Sequence, residues 1–113
     1  MQMRCSASAQ VGVATLSGSL NVVHVDRFRS EFKEWIDDNS GVKNIVFDFT
    51  EVDMVDSAGL GALITALKLV RARSGTLKLA GLTRRVHLVF QVTRTDRLFE
   101  IHKSVDEALA EME

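Results

Sequence analysis

The sequence predicts an α/β domain with a mixed, partly parallel sheet of four to five strands and about four helices. A β-branched and aromatic run at residues 44–50 is typical of a central strand. Segments with helical periodicity lie on both sides of it in the chain. Strand and helix patterns alternate with short connections, as expected for right-handed crossovers. At 113 residues the chain has room for one core, so we expect a single domain over residues 1–113, with residues 1–9 as a short lead-in.

The first strand is expected from Val11 to Gly18, where apolar and small residues alternate loosely before a Ser-Gly turn. A short partner strand is expected to start at Ser19. Asn21 then opens a segment with a helical apolar stripe, which ends at the polar and glycine residues 39–41. The stripe, which we assign to the core, consists of Phe28, Phe32, Trp35 and Ile36.

A second long helix is predicted over residues 57–73, after the central strand. Cations near its end favour the helix dipole, and Gly75 provides the stop. Its apolar stripe consists of Leu60, Leu63, Ile64, Leu67 and Val70. A second, smaller face is either a docking surface or a contact with a neighbouring helix, and consists of Ala58, Ala62, Ala66 and Leu69.

The last third of the chain predicts two short strands and two more helices. Alternation at residues 77–79 indicates a strand, and Thr83 is expected to cap the helix that follows it. A final strand is expected at residues 98–101. Ser104 and Glu107 have the spacing of a capping box, in which each side chain accepts from a free backbone N–H at a helix start.

Charge and composition exclude several classes of function. Lys and Arg number 14 against 15 Asp and Glu, so no broad positive field exists to hold a phosphate backbone and nucleic-acid binding is not expected. The single Cys5 forms no internal disulfide, which fits a reducing cytoplasm. No apolar stretch reaches the ~18 residues of a membrane span, and no signal peptide pattern is seen, so membrane insertion is not expected.

The segment from Met54 to Gly61 is the candidate functional motif, because it brings an acid, a hydroxyl and two glycines to one helix start. Ser57 is placed to be the N-cap, and it either does only that or also carries a reactive hydroxyl. Gly59 and Gly61 each make helix formation less favourable than an Ala would, by up to about 1 kcal/mol. Their presence indicates a tight turn or the close approach of another group.

This motif resembles one in the STAS domains of bacterial anti-sigma factor antagonists. The resemblance rests on Asp-Ser-Ala-Gly-Leu-Gly at 56–61, Gly-Ser-Leu-Asn at 18–21 and Leu-Lys-Leu-Ala-Gly at 77–81, and it covers the chain from about Val11 onward. In that family the serine after the aspartate is phosphorylated by a partner that is both kinase and anti-sigma factor. The resemblance therefore implies phosphorylation of Ser57. The implied partner-binding residues are Asn21, Asp56, Ser57, Ala58, Gly59, Leu60 and Gly61, with Asn21 where many relatives have an aspartate.

The function that the resemblance implies is a cytoplasmic protein switch. The unmodified protein would bind a serine-kinase anti-sigma factor and free a sigma factor, and the protein phosphorylated at Ser57 would release its partner. A phosphatase would reset the switch. No enzyme activity, cofactor or metal is expected of the chain itself.

Two other functions remain open at this point. The same fold could serve as a STAS subunit of a membrane transporter, such as a lipid ABC system. A small serine hydrolase or nucleotidase using Ser57 is the alternative from another class. It is disfavoured because the nucleophile-elbow pattern has Val55 where a glycine is needed, and because the three histidines are scattered.

Overall fold

The computed structural model describes residues 1–8 and 10–112. It contains one five-stranded sheet in which the strands lie side by side in chain order. The first pair is antiparallel and the other three pairs are parallel, which confirms the mixed α/β class. The strands are β1 Gln2–Ser8, β2 Val11–Leu20, β3 Asn44–Val55, β4 Leu77–Ala80 and β5 Glu100–His102.

In the described residues, four α-helices connect or follow the parallel strands. They are α1 Val25–Asp38, α2 Ser57–Ala72, α3 Arg84–Thr93 and α4 Val105–Ala110, with a 3-10 turn at Thr95–Arg97 before β5. Because β2, β3 and β4 are parallel and each is followed by a helix, the starts of α1, α2 and α3 all lie at the carboxyl edge of the sheet. That edge is where ligands and partners of such folds commonly bind.

The N-terminal strands differ from the prediction. Residues 2–8 form β1, whereas a lead-in was expected over 1–9, of which residue 9 lies outside the described part. The strand was missed because most of it is exposed and lacks an apolar run. The prediction of a separate strand starting at Ser19 was also wrong, since β2 continues to Leu20. Gly18, with φ of 86°, absorbs an irregularity in the pairing with β3 instead of turning the chain.

The main core fills the space between one face of the sheet and helices α1, α2 and α3. The Phe32 and Phe47 rings meet edge to face with centroids 5.2 Å apart, and Phe28 meets Phe47 at 5.8 Å. Phe32 is buried as predicted, while Trp35 lies half-buried at the rim. Because side chains alternate along a strand, Val46 faces the opposite side of the sheet, where a smaller cluster forms with Ala80 and Ala108 beneath α4.

Two of the predicted helix caps are confirmed. The Thr83 hydroxyl accepts from the Val86 N–H at 3.3 Å, and the Ser104 hydroxyl accepts from the Glu107 N–H at 3.1 Å. The Glu107 carboxylate faces His102 rather than the Ser104 amide, with Oε1 3.5 Å from Nδ1. The last strand begins two residues later than expected, at Glu100.

Candidate functional site

Asp56, not Ser57, caps α2, so the prediction for the cap was wrong. The backbone of Asp56 is extended, and its Oδ1 accepts from the Gly59 N–H at 2.8 Å. A carboxylate at this position both satisfies a free donor and complements the positive end of the helix dipole. Ser57 is then the first helical residue, and it is exposed. Its hydroxyl is not used by the cap and is open to an approaching partner.

The second carboxylate oxygen of Asp56 reaches across to the loop between β2 and α1. Its Oδ2 accepts from the Val22 N–H at 3.0 Å, and the Asp56 N–H donates to the Leu20 carbonyl at 3.2 Å. The Gly59 N–H, followed by the Val22 N–H, lowers the pKa of Asp56 below its ordinary value of 3.8. Asp56 therefore stays ionised at neutral pH and joins the start of α2 to the loop before α1.

Asn21 organises that loop. Its carbonyl accepts from the N–H groups of His24 at 2.9 Å and Val25 at 3.0 Å, and its side-chain Oδ1 accepts from the Val23 N–H at 3.0 Å. The helix consequently begins at Val25, four residues after the expected opening. The turn projects Val22 and Val23 into solvent, with exposed fractions of 68% and 77%.

Gly59 lies in close contact with the end of β2. A Cβ atom there would overlap the Leu20 carbonyl oxygen and approach a Val55 methyl to 3.0 Å. Gly59 and Leu60 are both buried. They position the start of α2, and the contact of these two residues with a partner stays a prediction. At Gly61 the nearest atom to a Cβ would be Arg29 Nη2, at 4.0 Å.

The small-residue face of α2 is mainly a helix contact. Ala62 and Ala66 are buried and line the contact with α1, beside Phe28 and Phe32. A shallow groove of about 270 Å³ lies between the two helices, with Leu69 at its edge. Only Ala58, which is half-buried next to Ser57, belongs to the carboxyl edge of the sheet.

Other candidate residues do not join this site. In the described ranges, no group of three or more His, Cys, Asp or Glu side chains has a geometry that would hold a metal ion. His102 is the last residue of β5, two strands away from β3 in the sheet, and its Nδ1 lies 3.1 Å from Glu111 Oε2. The arginines of the α3 region are solvent-exposed: Arg84, Arg85, Arg94 and Arg97.

Val22 and Val23 were not predicted to be exposed. Two adjacent valines in a loop, directly after a turn-forming asparagine, were a usable signal, because buried valines are normally found in strands or helix stripes. They were instead included in the opening of the first helix. Their exposure follows from the later start of α1.

Comparison with known proteins agrees with this geometry. The family model of the STAS domain matches residues 3–108, which is most of the chain. The chain belongs to the STAS domain family. A protein of Thermotoga neapolitana, named provisionally as an anti-sigma factor antagonist, is 33% identical over 85 residues, covering 73% of this chain and 75% of that protein.

Solved STAS structures share the fold. The unphosphorylated form of the anti-sigma factor antagonist SpoIIAA has a TM-score of 0.82 at 20% identity, covering 98% of this chain and 96% of that one. The phosphorylated form of Bacillus SpoIIAA has a TM-score of 0.74 at 19% identity, covering 99% and 100%. Within the part of the STAS chain that the structure describes, no helix combines the length and apolar character needed to cross a membrane.

Proposed function

We propose that this STAS protein is an anti-sigma factor antagonist that is switched by phosphorylation of Ser57. The observation that carries the proposal is the exposed Ser57 hydroxyl in the first turn of α2, left free because Asp56 provides the cap. The unphosphorylated protein binds a serine-kinase anti-sigma factor in the cytoplasm and frees a sigma factor. The phosphorylated protein releases that partner, and a phosphatase restores the hydroxyl.

In the proposed modification, this chain supplies the nucleophile and the partner supplies the chemistry. The Ser57 Oγ attacks the γ-phosphorus of ATP bound by the kinase, and a new O–P bond forms. The bond from that phosphorus to the β,γ-bridging oxygen breaks and ADP leaves. The hydroxyl proton passes to a base of the kinase. The requirement on this chain is an accessible serine on a rigid element, which the start of α2 provides.

The phosphate would be tolerated by the fold and rejected by the interface. It adds a charge of about −1.5 to −2 where helix N–H groups and the dipole favour anions. Asp56 already places one negative charge at the same helix start. Burying both charges against a partner leaves them poorly solvated and mutually repelled, and a penalty near 4 kcal/mol would lower affinity about a thousandfold.

The relatives support a regulatory role rather than catalysis. The Thermotoga neapolitana protein is named provisionally as an anti-sigma factor antagonist, and SpoIIAA has been solved in unphosphorylated and phosphorylated forms. The proposed binding surface consists of the accessible part of the motif and its neighbouring loop: Asn21, Asp56, Ser57, Ala58 and Gly61. Labelling of Ser57 by a serine-reactive hydrolase probe would favour the enzyme alternative instead.

The test is phosphorylation by the serine-kinase anti-sigma factor of the same organism. We expect the intact mass to rise by one phosphate with ATP, and peptide mapping to place it on Ser57. Thr50, Thr65 and Ser104 are internal controls, and the Ser57→Ala variant should take up no phosphate. Phosphate on another residue, with Ser57 unmodified, would overturn the proposal.

A further inference from the structure

We propose that Val22 and Val23 form the apolar anchor by which this surface engages its partner, and that Asp56 is the residue that positions them. The inference rests on the proposed function, because the occupant is the serine-kinase anti-sigma factor. That partner would present an apolar recess for two β-branched side chains, next to the residues that approach Ser57.

The exposure of the two valines supports an interaction role. Among the described residues, five large hydrophobic side chains are well exposed, and Val22 and Val23 are two of them. The other three belong to α3 and the segment after it: Leu88, Val92 and Leu98. Adjacent apolar side chains that the fold leaves in water are candidates for burial by a partner. The Val22 N–H donates to Asp56, the residue next to Ser57, and Val23 follows Val22 directly in the same loop.

The loop presents the valines in a fixed conformation. The Val22 N–H is held by Asp56 Oδ2 at 3.0 Å, and the Val23 N–H by Asn21 Oδ1 at 3.0 Å. The Asn21 carbonyl secures the next turn by accepting from His24 and Val25. Because both valine amides are already bound, binding would cost little further loss of loop entropy. Such pre-organisation raises affinity without additional contacts.

Asp56 connects this anchor to the modification site. One of its oxygens holds the Gly59 N–H in the first turn of α2, and the other holds the Val22 N–H in the loop. A phosphate on Ser57 would lie beside this carboxylate and compete for the same helix N–H groups. Phosphorylation would thus act on the presentation of the valines as well as on the charge of the surface.

The first experiment measures binding by calorimetry with the unphosphorylated protein and the serine-kinase anti-sigma factor. We expect the double variant Val22→Ser with Val23→Ser to bind at least about tenfold more weakly than wild type. The matched control is Val92→Ser, because Val92 is 74% exposed on α3. It should bind as wild type does. Equal affinity of the double variant and wild type would overturn the anchor, as would equal losses in both variants.

The second experiment tests the positioning role of Asp56. The variant Asp56→Ala removes both accepting oxygens, so the Val22 N–H and the Gly59 N–H both lose their acceptor. We expect amide hydrogen exchange at Val22 to accelerate at least about tenfold, and the valine substitutions to lose most of their effect on binding in this background. Unchanged exchange at Val22, or fully additive effects, would refute the positioning role.

The outcomes separate this inference from the proposed function. If wild type fails to bind the kinase and Ser57 is not phosphorylated, the proposed function fails and the anchor fails with it. If wild type binds and is phosphorylated while the valine variants bind equally well, only the anchor is wrong.

Discussion

The carbonyl oxygen of Leu20 occupies the space that a side chain at Gly59 would need. The end of β2 and the first turn of α2 are therefore in backbone contact, and Asp56 completes the junction through hydrogen bonds to both sides. A carbonyl within a strand has little freedom to move. The glycine is thus explained by packing within the fold, and its cost in helix propensity is offset by the close approach of two elements.

Gly59→Ala should destabilise the protein by about 1–3 kcal/mol, because the added methyl forces the two elements apart. The matched control is Gly61→Ala, which meets no close atom and should be neutral or raise stability by up to about 1 kcal/mol. Urea denaturation of both variants would measure the free energy of unfolding. Equal stabilities would contradict the packing explanation.

The stability that Asp56 contributes should depend on pH. Its folded pKa lies below the ordinary 3.8, so its contribution is complete above about pH 3.8 and is lost as the pH falls through the folded value. Thermal unfolding of Asp56→Asn should show a loss near neutral pH that shrinks in acid. The control is Asp38→Asn, which removes an exposed carboxylate at the end of α1 and should change stability near neutral pH by less than about 0.5 kcal/mol. A constant difference between wild type and Asp56→Asn would contradict this assignment.

Ser57→Ala should remain as stable as wild type within about 0.5 kcal/mol, since Asp56 provides the cap. We expect this variant to bind the anti-sigma factor constitutively in the presence of ATP. Ser57→Asp should bind with intermediate affinity, because one carboxylate carries less charge and fewer oxygens than a phosphate. Calorimetry would rank the variants, and a folded Ser57→Ala protein that fails to bind would be incompatible with the switch.

Phosphorylation should change the backbone only locally. Amide shifts in nuclear magnetic resonance spectra should be confined to residues 53–56, the first turn of α2 and, through Asp56, the amides of Val22 and Val23. Added salt should restore part of the lost affinity, because exposed charges are screened within about 8 Å at physiological ionic strength. Shifts spreading over β3 at residues 44–50 and over α3 would show a conformational switch and exclude the local account.

Cys5 should react slowly while the protein is folded. Burial, together with a smaller contribution from the charge of Glu31, raises the pKa of its thiol from 9.0 to about 11. Since the thiolate is the reactive form, alkylation by iodoacetamide at pH 8 should be roughly a hundredfold slower than in denaturant. Mass spectrometry of timed samples would give both rates, and comparable rates would rule out the shielded position.

The elements that depend on local patterns were predictable from the sequence. A few neighbouring residues are enough to predict each of three features: the aromatic run of β3, the apolar stripe of α2 and the Thr83 cap. The β1 strand was not predictable, because it owes its structure to pairing with β2 and its own residues are mostly polar and exposed.

The motif predicts where the candidate site lies, but the structural roles of its residues depend on the folded chain. An aspartate and a serine in succession are both good caps, and the extended backbone at Asp56 decides between them. The role of Gly59 depends on Leu20, which is distant in sequence and adjacent only in the fold. The exposure of Val22 and Val23 depends on where α1 begins, and boundaries of this kind are the least predictable part of a pattern.

Because the cluster beneath α4 is separate from the main core, we expect α4 and the main core to unfold with different free energies. Val46, Ala80 and Ala108 bury little apolar area compared with the main core, and α4 has only six residues. Sub-global opening of this C-terminal helix should therefore require much less free energy than global unfolding. The junction of β2, β3 and α2 belongs to the other cluster, so the Ser57 surface would keep its shape during such excursions. The C-terminal helix can therefore unfold transiently while the surface around Ser57 remains folded.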